Sequence, residues 1–128
     1  MSGLQFYSYN GSALATASSA LVRADTLVGG WDPSKSSATC PREINAQIDQ
    51  AFENVDLALK TAGGKGWEQV YKVRSYHVPI NGEALEAMVR NFKKWMPNHA
   101  PLWTCVGVPR LGEDDMRVEI EVEAHDPK

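Results

Sequence analysis

Four residues of the sequence could act together in hydrolytic chemistry on a small molecule: Trp103, Cys105, Glu119 and Arg74. A glutamate that is partly removed from water has a raised pKa, so it could orient or deprotonate an attacking water molecule. A tryptophan could stack on a flat ligand, an arginine could bind a carboxylate, and a cysteine could act as a nucleophile beside a base. We therefore ask which elements of the chain bring these four side chains together.

Residues 101–124 carry three of the four, on two segments in which apolar residues alternate with period two, as in strands with one buried face. In the first strand we expect Trp103 and Cys105 to point away from the core. The core face of this strand is predicted to hold Leu102, Thr104, Val106 and Val108. In the second strand Glu119 is expected on the outward face, with Arg117, Glu121 and Glu123. Trp103, Cys105 and Glu119 are thus predicted to share the uncovered face of a sheet.

Each of these residues also has an ordinary structural explanation. Glu119 could belong to a solvated or salt-bridged row of carboxylates, and Arg74 could pair with that row. Cys105 has no histidine at an informative spacing, so a small thiol in the wall of a cleft explains it better than a nucleophile. Trp103 could simply fill an interface between subunits, since tryptophan is a common interface anchor.

The chain before residue 41 predicts strands and loops. Residues 4–8 alternate with aromatic side chains and form a first strand. Residues 12–19 form a loop of small residues, and residues 20–28 form a second strand with an interruption or a tight turn. The sequence Gly-Gly-Trp-Asp-Pro at residues 29–33 stops that strand, because glycine adopts unusual backbone angles and proline lacks an amide donor.

A first helix is predicted over residues 41–62. Apolar residues recur there at intervals of three and four, namely at Ile44, Ile48, Ala51, Phe52, Val55, Leu59 and Ala62. Pro41 suits the first helical position, and Glu43 suits the positive amino end of the helix dipole. Gly63 and Gly64 are expected to end the helix in a left-handed conformation.

A third strand and a second helix follow. Residues 67–78 are rich in valine and tyrosine, which favours a strand, and Pro79 ends it. Asn81 is expected to cap a helix that ends before Pro97. The apolar stripe of this helix is predicted to contain Leu85, Met88, Val89, Phe92 and either Trp95 or Met96.

The order of elements, ββαβαββ, predicts an α+β fold: a two-layer sandwich in which both helices cover one face of a mixed sheet. Residues 1–128 are expected to form a single domain, since a chain of this length can bury one core. The other face of the sheet stays uncovered, which favours an oligomer with small-molecule clefts between its subunits.

The bulk properties of the chain disfavour several classes of function without excluding nucleic-acid binding. The formal net charge is -3 and the pI is about 5.6, so the protein lacks the basic field that attracts a phosphate backbone. Two cysteines are too few for a disulfide scaffold and no secretory leader is recognised, so we expect a soluble cytoplasmic protein, with a mitochondrial location left open. No segment is predicted to span a membrane.

His77, His99 and His125 are scattered singly, so we expect no metal site and assign them to the surface or to an interface.

Several stretches of this sequence resemble the RidA/YjgF family. They are Gly-Gly-Trp-Asp-Pro, the helix end Ala-Gly-Gly, Val-Tyr-Lys-Val-Arg-Ser-Tyr, and Thr-Cys-Val-Gly-Val-Pro-Arg-Leu followed by Arg-Val-Glu-Ile-Glu-Val-Glu-Ala. The resemblance covers about residues 21–124 and is most specific in the last two strands. It implies a chorismate-mutase-like fold, a homotrimer, and sites in the clefts between neighbouring subunits. Characterised members hydrolyse enamines and imines released by pyridoxal-phosphate enzymes, giving a keto acid and ammonia without metal or cofactor.

The sequence departs from this family at the substrate anchor. In the deaminating members an arginine lies two residues before the cysteine and pairs with the substrate carboxylate; here that position is Trp103, which carries no charge. The resemblance carries the family cysteine onto Cys105 and the water-handling glutamate onto Glu119, so we expect Glu119 to be catalytic. The residues expected to bind substrate are Trp103, Cys105, Gly30, Trp31 and Arg74.

Three functional hypotheses follow. The first is cofactor-free hydrolysis of reactive enamines or imines, with a substrate preference altered by Trp103. The second is a trimeric protein of the same family that binds a small molecule and catalyses no reaction. The third is RNA cleavage, which the family's older naming suggests and the acidic balance of the chain opposes.

Overall fold

A six-stranded mixed sheet forms one layer of the protein and two helices form the other. The computed structural model describes residues 5–8, 13–17, 21–26 and 41–125, with side chains from residue 41 onward. The N-terminal strands are β1 (Gln5–Ser8), β2 (Ala13–Ala17) and β3 (Leu21–Thr26). Strand β2 lies between β1 and β3 and pairs antiparallel with both.

The C-terminal half of the sheet consists of β4 (Val70–His77), β5 (Leu102–Gly107) and β6 (Val118–His125). Strand β6 pairs antiparallel with both β3 and β4, whereas β4 and β5 are parallel, so the strand order is β1-β2-β3-β6-β4-β5. A parallel pair needs a crossover connection, and helix α2 (Gly82–Trp95) supplies it between β4 and β5. Strand β5 is therefore at the edge of the described sheet.

Helix α1 (Ile44–Thr61) begins at a carboxylate cap. The Glu43 side chain accepts hydrogen bonds from the backbone nitrogens of Asn45 and Ala46, at 3.0 and 2.8 Å, and so satisfies two amides that a helix start leaves unpaired. These hydrogen bonds hold the pKa of Glu43 below its usual value. The sequence predicts Pro41 as the first helical residue, but the cap at Glu43 sets the start three residues later, at Ile44.

The carboxyl end of α1 ends at two glycines, as the sequence predicts. Gly63 has a φ of 94°, in the left-handed region that side chains disfavour. The Gly63 amide donates to the carbonyl of Lys60 and the Gly64 amide donates to that of Leu59, both at 3.0 Å. This is a Schellman motif, which pairs two carbonyls that the helix end would otherwise leave free.

Helix α2 is capped by Asn81, as predicted: its side-chain oxygen accepts a hydrogen bond from the backbone nitrogen of Ala84 at 2.9 Å. The fully buried residues of the helix are Ala84, Ala87, Met88 and Asn91. Val89, which the sequence places in the apolar stripe, is 39% exposed, so the buried face contains smaller residues than predicted. The side-chain nitrogen of Asn91 donates to Asp49 Oδ1 of α1 at 2.8 Å, which joins the two helices.

The core lies between the helices and the sheet. Trp67, predicted as the first residue of a strand, lies instead in a 3-10 turn (Gly66–Gln69) and stacks on Phe52 of α1 with ring centroids 4.6 Å apart. Its indole nitrogen donates to the carbonyl of Phe52 at 2.8 Å. Strands β4 and β6 contribute alternate residues to this layer, namely Val73, Ser75, His77, Val118, Ile120, Val122 and Ala124. The intervening residues of both strands lie half-buried on the other face.

The predicted fold class is confirmed: two helices cover a mixed sheet in an α+β arrangement. One segment differs, because residues 12–19, predicted as a loop, contain β2, and three strands rather than two precede α1. The sequence of β2, Ala-Leu-Ala-Thr-Ala, has low strand propensity, so its pairing with both neighbouring strands decides its conformation. The turn predicted at residues 29–33 lies outside the described residues.

Candidate functional site

The side chains that the sequence assigns to one site lie on two faces of the sheet. Trp103 and Cys105 are register partners of Val73 and Ser75 on β4, whose side chains face the helices. Glu119 lies half-buried on the other face, because it alternates with the buried residues of β6. The prediction that Trp103 and Cys105 share the uncovered face with Glu119 is therefore wrong for a single chain.

Period-two alternation could not decide the face of β5, because both of its sides carry large apolar residues. The structure leaves Leu102 and Val106 exposed on the sheet's uncovered face, at 70% and 41%, and half-buries Trp103 on the helix face. The parallel pairing with β4 fixes this choice, since Trp103 must point to the same side as its partner Val73. The indole then finds aromatic and polar contacts that neither aliphatic side chain could make.

The indole of Trp103 is held from two directions. Its ring packs edge-on against Phe92 of α2, with centroids 5.0 Å apart and ring planes at 78°. Its Nε1 donates a hydrogen bond to the Oγ of Ser75 at 2.9 Å. These contacts support a packing role for one side of the ring, while the half-buried side chain keeps part of its surface accessible to a ligand.

A buried serine and histidine lie behind this indole. Ser75 and His77 are both 0% exposed, and the Oγ of Ser75 lies 2.8 Å from Nε2 of His77. Burial lowers the pKa of His77, because a charged imidazole would lose its hydration there. We refer to Ser75, His77, Trp103 and Cys105 as the helix-face cluster.

No sequence pattern singled out Ser75, and the prediction that His77 lies at the surface or at an interface is wrong, because its side chain is buried in the core. The signal that could have placed both residues was available: they follow Val73 at spacings of two and four residues, so all three share one face of β4. Reading Val73 as a core residue therefore places Ser75 and His77 in the core as well.

Cys105 is a half-buried free thiol opposite Ser75 in the β4–β5 pair. A reactive cysteine needs a nearby base or cation to stabilise its thiolate. Its placement beside the buried serine fits a small thiol in a cleft wall. Its contact with substrate stays a prediction.

A row of charged residues occupies the uncovered face of β4 and β6. We call it the open-face row; its members are Lys72, Arg74, Glu119, Glu121 and Glu123. Arg74 Nη1 lies 4.0 Å from Glu121 Oε1, and the two side chains are 43% and 18% exposed, so the ion pair is loose and partly solvated. Because Arg74 and Trp103 point to opposite faces, Arg74 cannot supply a cation beside the indole of its own chain.

Tyr71 extends the open-face row at an irregularity in β4. The β4–β6 register shifts between Val70 and Lys72, and the hydroxyl of Tyr71 donates to Glu123 Oε2 at 3.2 Å. Burial, and then the adjacent carboxylate, raise the pKa of Tyr71. A shallow depression on this face is lined by Lys72, Arg74, Glu121 and Glu123.

Gly30 and Trp31 lie outside the described residues, so their predicted substrate contacts stay predictions. Within the part of the chain that the structure describes, no group of three or more His, Cys, Asp or Glu side chains could hold a metal ion. Neither α1 nor α2, the two helices of that part, combines the length and the apolar character needed to cross a membrane.

Comparison with known proteins gives a family match and similar folds. Residues 13–126 match the family described as "Endoribonuclease L-PSP". Protein YJGH is 26% identical over 89% of this chain and 82% of its own, with a TM-score of 0.72. YyfA of Yersinia pestis, described as a member of the conserved Rid protein family, is 20% identical over 88% and 85%, with a TM-score of 0.74. TdcF of E. coli, solved with bound serine, is 22% identical over 95% and 86%, with a TM-score of 0.66. No curated protein sequence matches the chain.

Proposed function

This chain belongs to the endoribonuclease L-PSP family, which is the RidA/YjgF family of its sequence resemblance, and from this premise we propose that it hydrolyses reactive enamines or imines without a cofactor. The observation that carries the proposal is the tethered indole of Trp103 at the position of the family's arginine. An indole cannot bind a carboxylate in the bidentate manner of a guanidinium. The proposed substrate is therefore a neutral imine or enamine rather than a 2-imino acid.

We propose a homotrimer as the active form, with its sites between subunits. Leu102 and Val106 support this assembly, because they expose apolar surface on a face that also carries half-buried charges. The opposite orientations of Glu119 and Trp103 support it too. A single chain cannot bring these two side chains to one ligand, whereas a cleft could combine Glu119 of one copy with Trp103 of a neighbour.

In such a cleft Glu119 is the proposed base. It takes a proton from a water molecule as the water oxygen bonds to the imine carbon, and passes that proton to the imine nitrogen, which gives a neutral carbinolamine. Glu119 then takes the hydroxyl proton of the carbinolamine and delivers it to the amine nitrogen as the carbon–nitrogen bond breaks, so that ammonia and a carbonyl compound are released. One imine and one water supply all the atoms, so no redox partner is needed.

The test is ammonia release from freshly generated 2-aminoacrylate and from neutral imines. We expect the wild-type protein to accelerate hydrolysis of the neutral imines, and Glu119→Gln to lose about a hundredfold or more of the rate, as for removal of a general base. Glu123→Gln is the matched control, since it removes a carboxylate from the same face of β6. A protein inert toward every imine, or an unaffected Glu119→Gln variant, refutes the proposal.

The second candidate function is a trimeric small-molecule-binding protein that catalyses no reaction. The fixed, half-buried indole of Trp103 supports it, because a rigid aromatic side chain can bind a ligand without any catalytic group beside it. A similar fold, TdcF, holds bound serine, which supports a small molecule as the ligand. Quenching of tryptophan fluorescence by a metabolite, with no ammonia released from any imine, would select this function.

RNA cleavage, the activity in the family's description, is the weaker candidate. The open-face row contains three carboxylates, those of Glu119, Glu121 and Glu123, but two cations, those of Lys72 and Arg74. The whole chain has a net charge of -3. RNA binding depends on neutralising phosphates with cations, so such a surface repels it. We expect no retention of single-stranded RNA in a filter-binding assay at low salt.

A further inference from the structure

The single hydrogen-bond donor of Trp103 is already used inside the protein. An indole has one N–H and no acceptor, and the Nε1 of Trp103 donates that hydrogen to the Oγ of Ser75 at 2.9 Å. Ser75 is 0% exposed and therefore has no competing solvent contact. A ligand at the accessible part of the ring thus contacts an aromatic surface whose only hydrogen-bond donor is already bonded to Ser75 on the buried side.

His77 determines which way the serine hydroxyl points. If Nε2 of His77 is the unprotonated nitrogen, the Ser75 hydroxyl can donate to it at 2.8 Å, and of the side-chain polar groups of Ser75 and His77 only the Nδ1–H is left unpaired. If Nε2 carries the proton, Ser75 accepts twice, and both its own hydrogen and the Nδ1 lone pair are left unpaired. Buried polar groups without partners are costly, so the first tautomer is favoured, and the chain runs from Trp103 through Ser75 to His77.

Aromatic packing fixes the ring from the other side. Trp103 meets Phe92 edge-on with centroids 5.0 Å apart, Phe92 meets Phe52 edge-on at 5.5 Å, and Phe52 stacks on Trp67 at 4.6 Å. The indole is therefore the outer end of an aromatic row that extends into the core, so its ring plane follows from the packing of both helices.

We propose that Ser75 and His77 are positioning residues that fix the indole of Trp103 and withhold its donor, so that this wall of the candidate site selects an apolar or aromatic part of the ligand. Polar groups of the ligand must then be bound elsewhere in the site. The role in substrate selection rests on the proposed function, whereas the tether itself does not.

The tether is tested by nuclear magnetic resonance of the full-length protein labelled with nitrogen-15. The indole N–H signal of Trp103 is assigned by its loss in Trp103→Phe, and the signal of Trp67, which donates to a backbone carbonyl, is the internal reference. We expect the Trp103 indole hydrogen of the wild type to exchange with water at least tenfold more slowly than a free indole. Ser75→Ala should shift the signal and accelerate exchange, while Ser75→Thr, which keeps a hydroxyl, should restore both. His77→Gln should shift the Trp103 signal and leave that of Trp67 in place.

An unchanged Trp103 signal in Ser75→Ala overturns the tether. Should Ser75→Ala fail to fold, the wild-type exchange rate decides alone: exchange as fast as that of a free indole overturns the proposal. These measurements need no substrate, so the tether can stand while imine hydrolysis fails, and the reverse.

The selectivity is tested with two probes of the same shape, acetophenone, which has a carbonyl acceptor, and α-methylstyrene, which has none. Both should shift the ring signals of Trp103 in the wild type. Ser75→Ala removes the acceptor that holds the indole N–H toward the core, so the ring can rotate about its Cβ–Cγ bond and turn the N–H toward the ligand. The affinity for acetophenone relative to α-methylstyrene should then rise by about three- to tenfold, the effect of one hydrogen bond. An identical affinity ratio in both proteins, or the absence of any shift at Trp103 with α-methylstyrene, overturns the proposed selectivity.

Discussion

The side-chain oxygen of Gln47 lies 2.6 Å from the backbone nitrogen of Arg117, so one amide connects the first turn of α1 to the start of β6. The same oxygen accepts from the nitrogen of Val118 at 3.2 Å, and Nε2 of Gln47 donates to the carbonyls of Pro41 and Asp115 at 2.8 and 3.0 Å. Gln47 is 0% exposed, and it satisfies four backbone groups between the helix start and the last loop.

Gln47→Leu should lower the free energy of unfolding by about 2 to 4 kcal/mol, because the substitution leaves these backbone groups without partners in a buried site. Gln50→Leu is the control on the same helix, since Gln50 makes a side-chain hydrogen bond to Asn54 at 3.1 Å; it should cost about 0.5 to 1 kcal/mol. Urea unfolding monitored by circular dichroism measures both. A Gln47→Leu variant no less stable than Gln50→Leu would contradict this account.

Gly63→Ala should destabilise the protein by about 1 to 2 kcal/mol, because residue 63 has a φ of 94°, where a Cβ atom is disfavoured. An added Cβ meets no atom within 4 Å at this position, so backbone conformation alone accounts for the loss. Gly82→Ala, at the start of α2 and equally free of neighbours, should instead stabilise the protein by about 0.4 to 1 kcal/mol. Thermal unfolding of the two variants measures the difference, and equal melting temperatures would contradict the prediction.

Stability should fall on acidification through the usual pKa of histidine, 6.5, because burial depresses the pKa of His77 in the folded state. Between the folded and unfolded pKa values the unfolded chain binds more protons, so stability is complete above about pH 6.5 and decreases below it, by at most about 1.4 kcal/mol per pH unit. The lowered pKa of Glu43 makes stability depend on pH only below about pH 4.5, so its effect does not overlap with that of His77.

His77→Gln should flatten this pH dependence, whereas His125→Gln, at the exposed end of β6, should keep it. Urea unfolding at a series of pH values between about 5 and 8 covers the range. An equal slope in His77→Gln and wild type would assign the acid sensitivity to another group.

Trp103→Arg should gain hydrolysis of 2-aminoacrylate that the wild type lacks, because a guanidinium can bind the carboxylate in a bidentate manner. Trp103→Lys is the matched control: it adds the charge without the planar geometry and should gain less. Ammonia release measures both, beside the melting temperature, since either substitution removes the packing of the indole on Phe92. Folded variants that release no ammonia from 2-aminoacrylate would show that more than this side chain separates the protein from the deaminases.

Leu102→Glu should weaken the proposed trimer, because Leu102 is 70% exposed on the uncovered face and a carboxylate there would be desolvated between copies. Leu57→Glu is the control, since Leu57 is 41% exposed on α1, away from that face. Sedimentation velocity should show smaller species for Leu102→Glu and wild-type behaviour for Leu57→Glu. A monomeric wild-type protein, or a Leu102→Glu variant that assembles normally, would refute the proposed interface.

Features that depend on neighbouring residues could be predicted from the sequence. The Asn81 cap, the left-handed Gly63 and the buried face of β6 each follow from chemistry within a few positions of the chain. For the same reason both helices and the α+β class were predictable, since their periodicity is long and regular.

Features that depend on pairing across the sheet could not be predicted from the sequence. The orientation of Trp103 follows from its parallel register with Val73, which lies 30 positions earlier and is connected to it through α2. The small residues of β2 become a strand only between β1 and β3. The hydrogen bond from Trp103 to Ser75 is likewise a contact between strands, so no pattern of neighbouring residues in the sequence predicts it.

Trp103 and Thr104 are consecutive residues of β5 that point to opposite faces of the sheet. A single peptide unit therefore separates the indole on the helix face from the uncovered face. A small displacement of this edge strand therefore moves side chains on both faces of the sheet. Thermodynamic reciprocity then applies: if docking of a second copy changes the affinity for a ligand at the indole, the ligand changes the association constant of the subunits by the same factor.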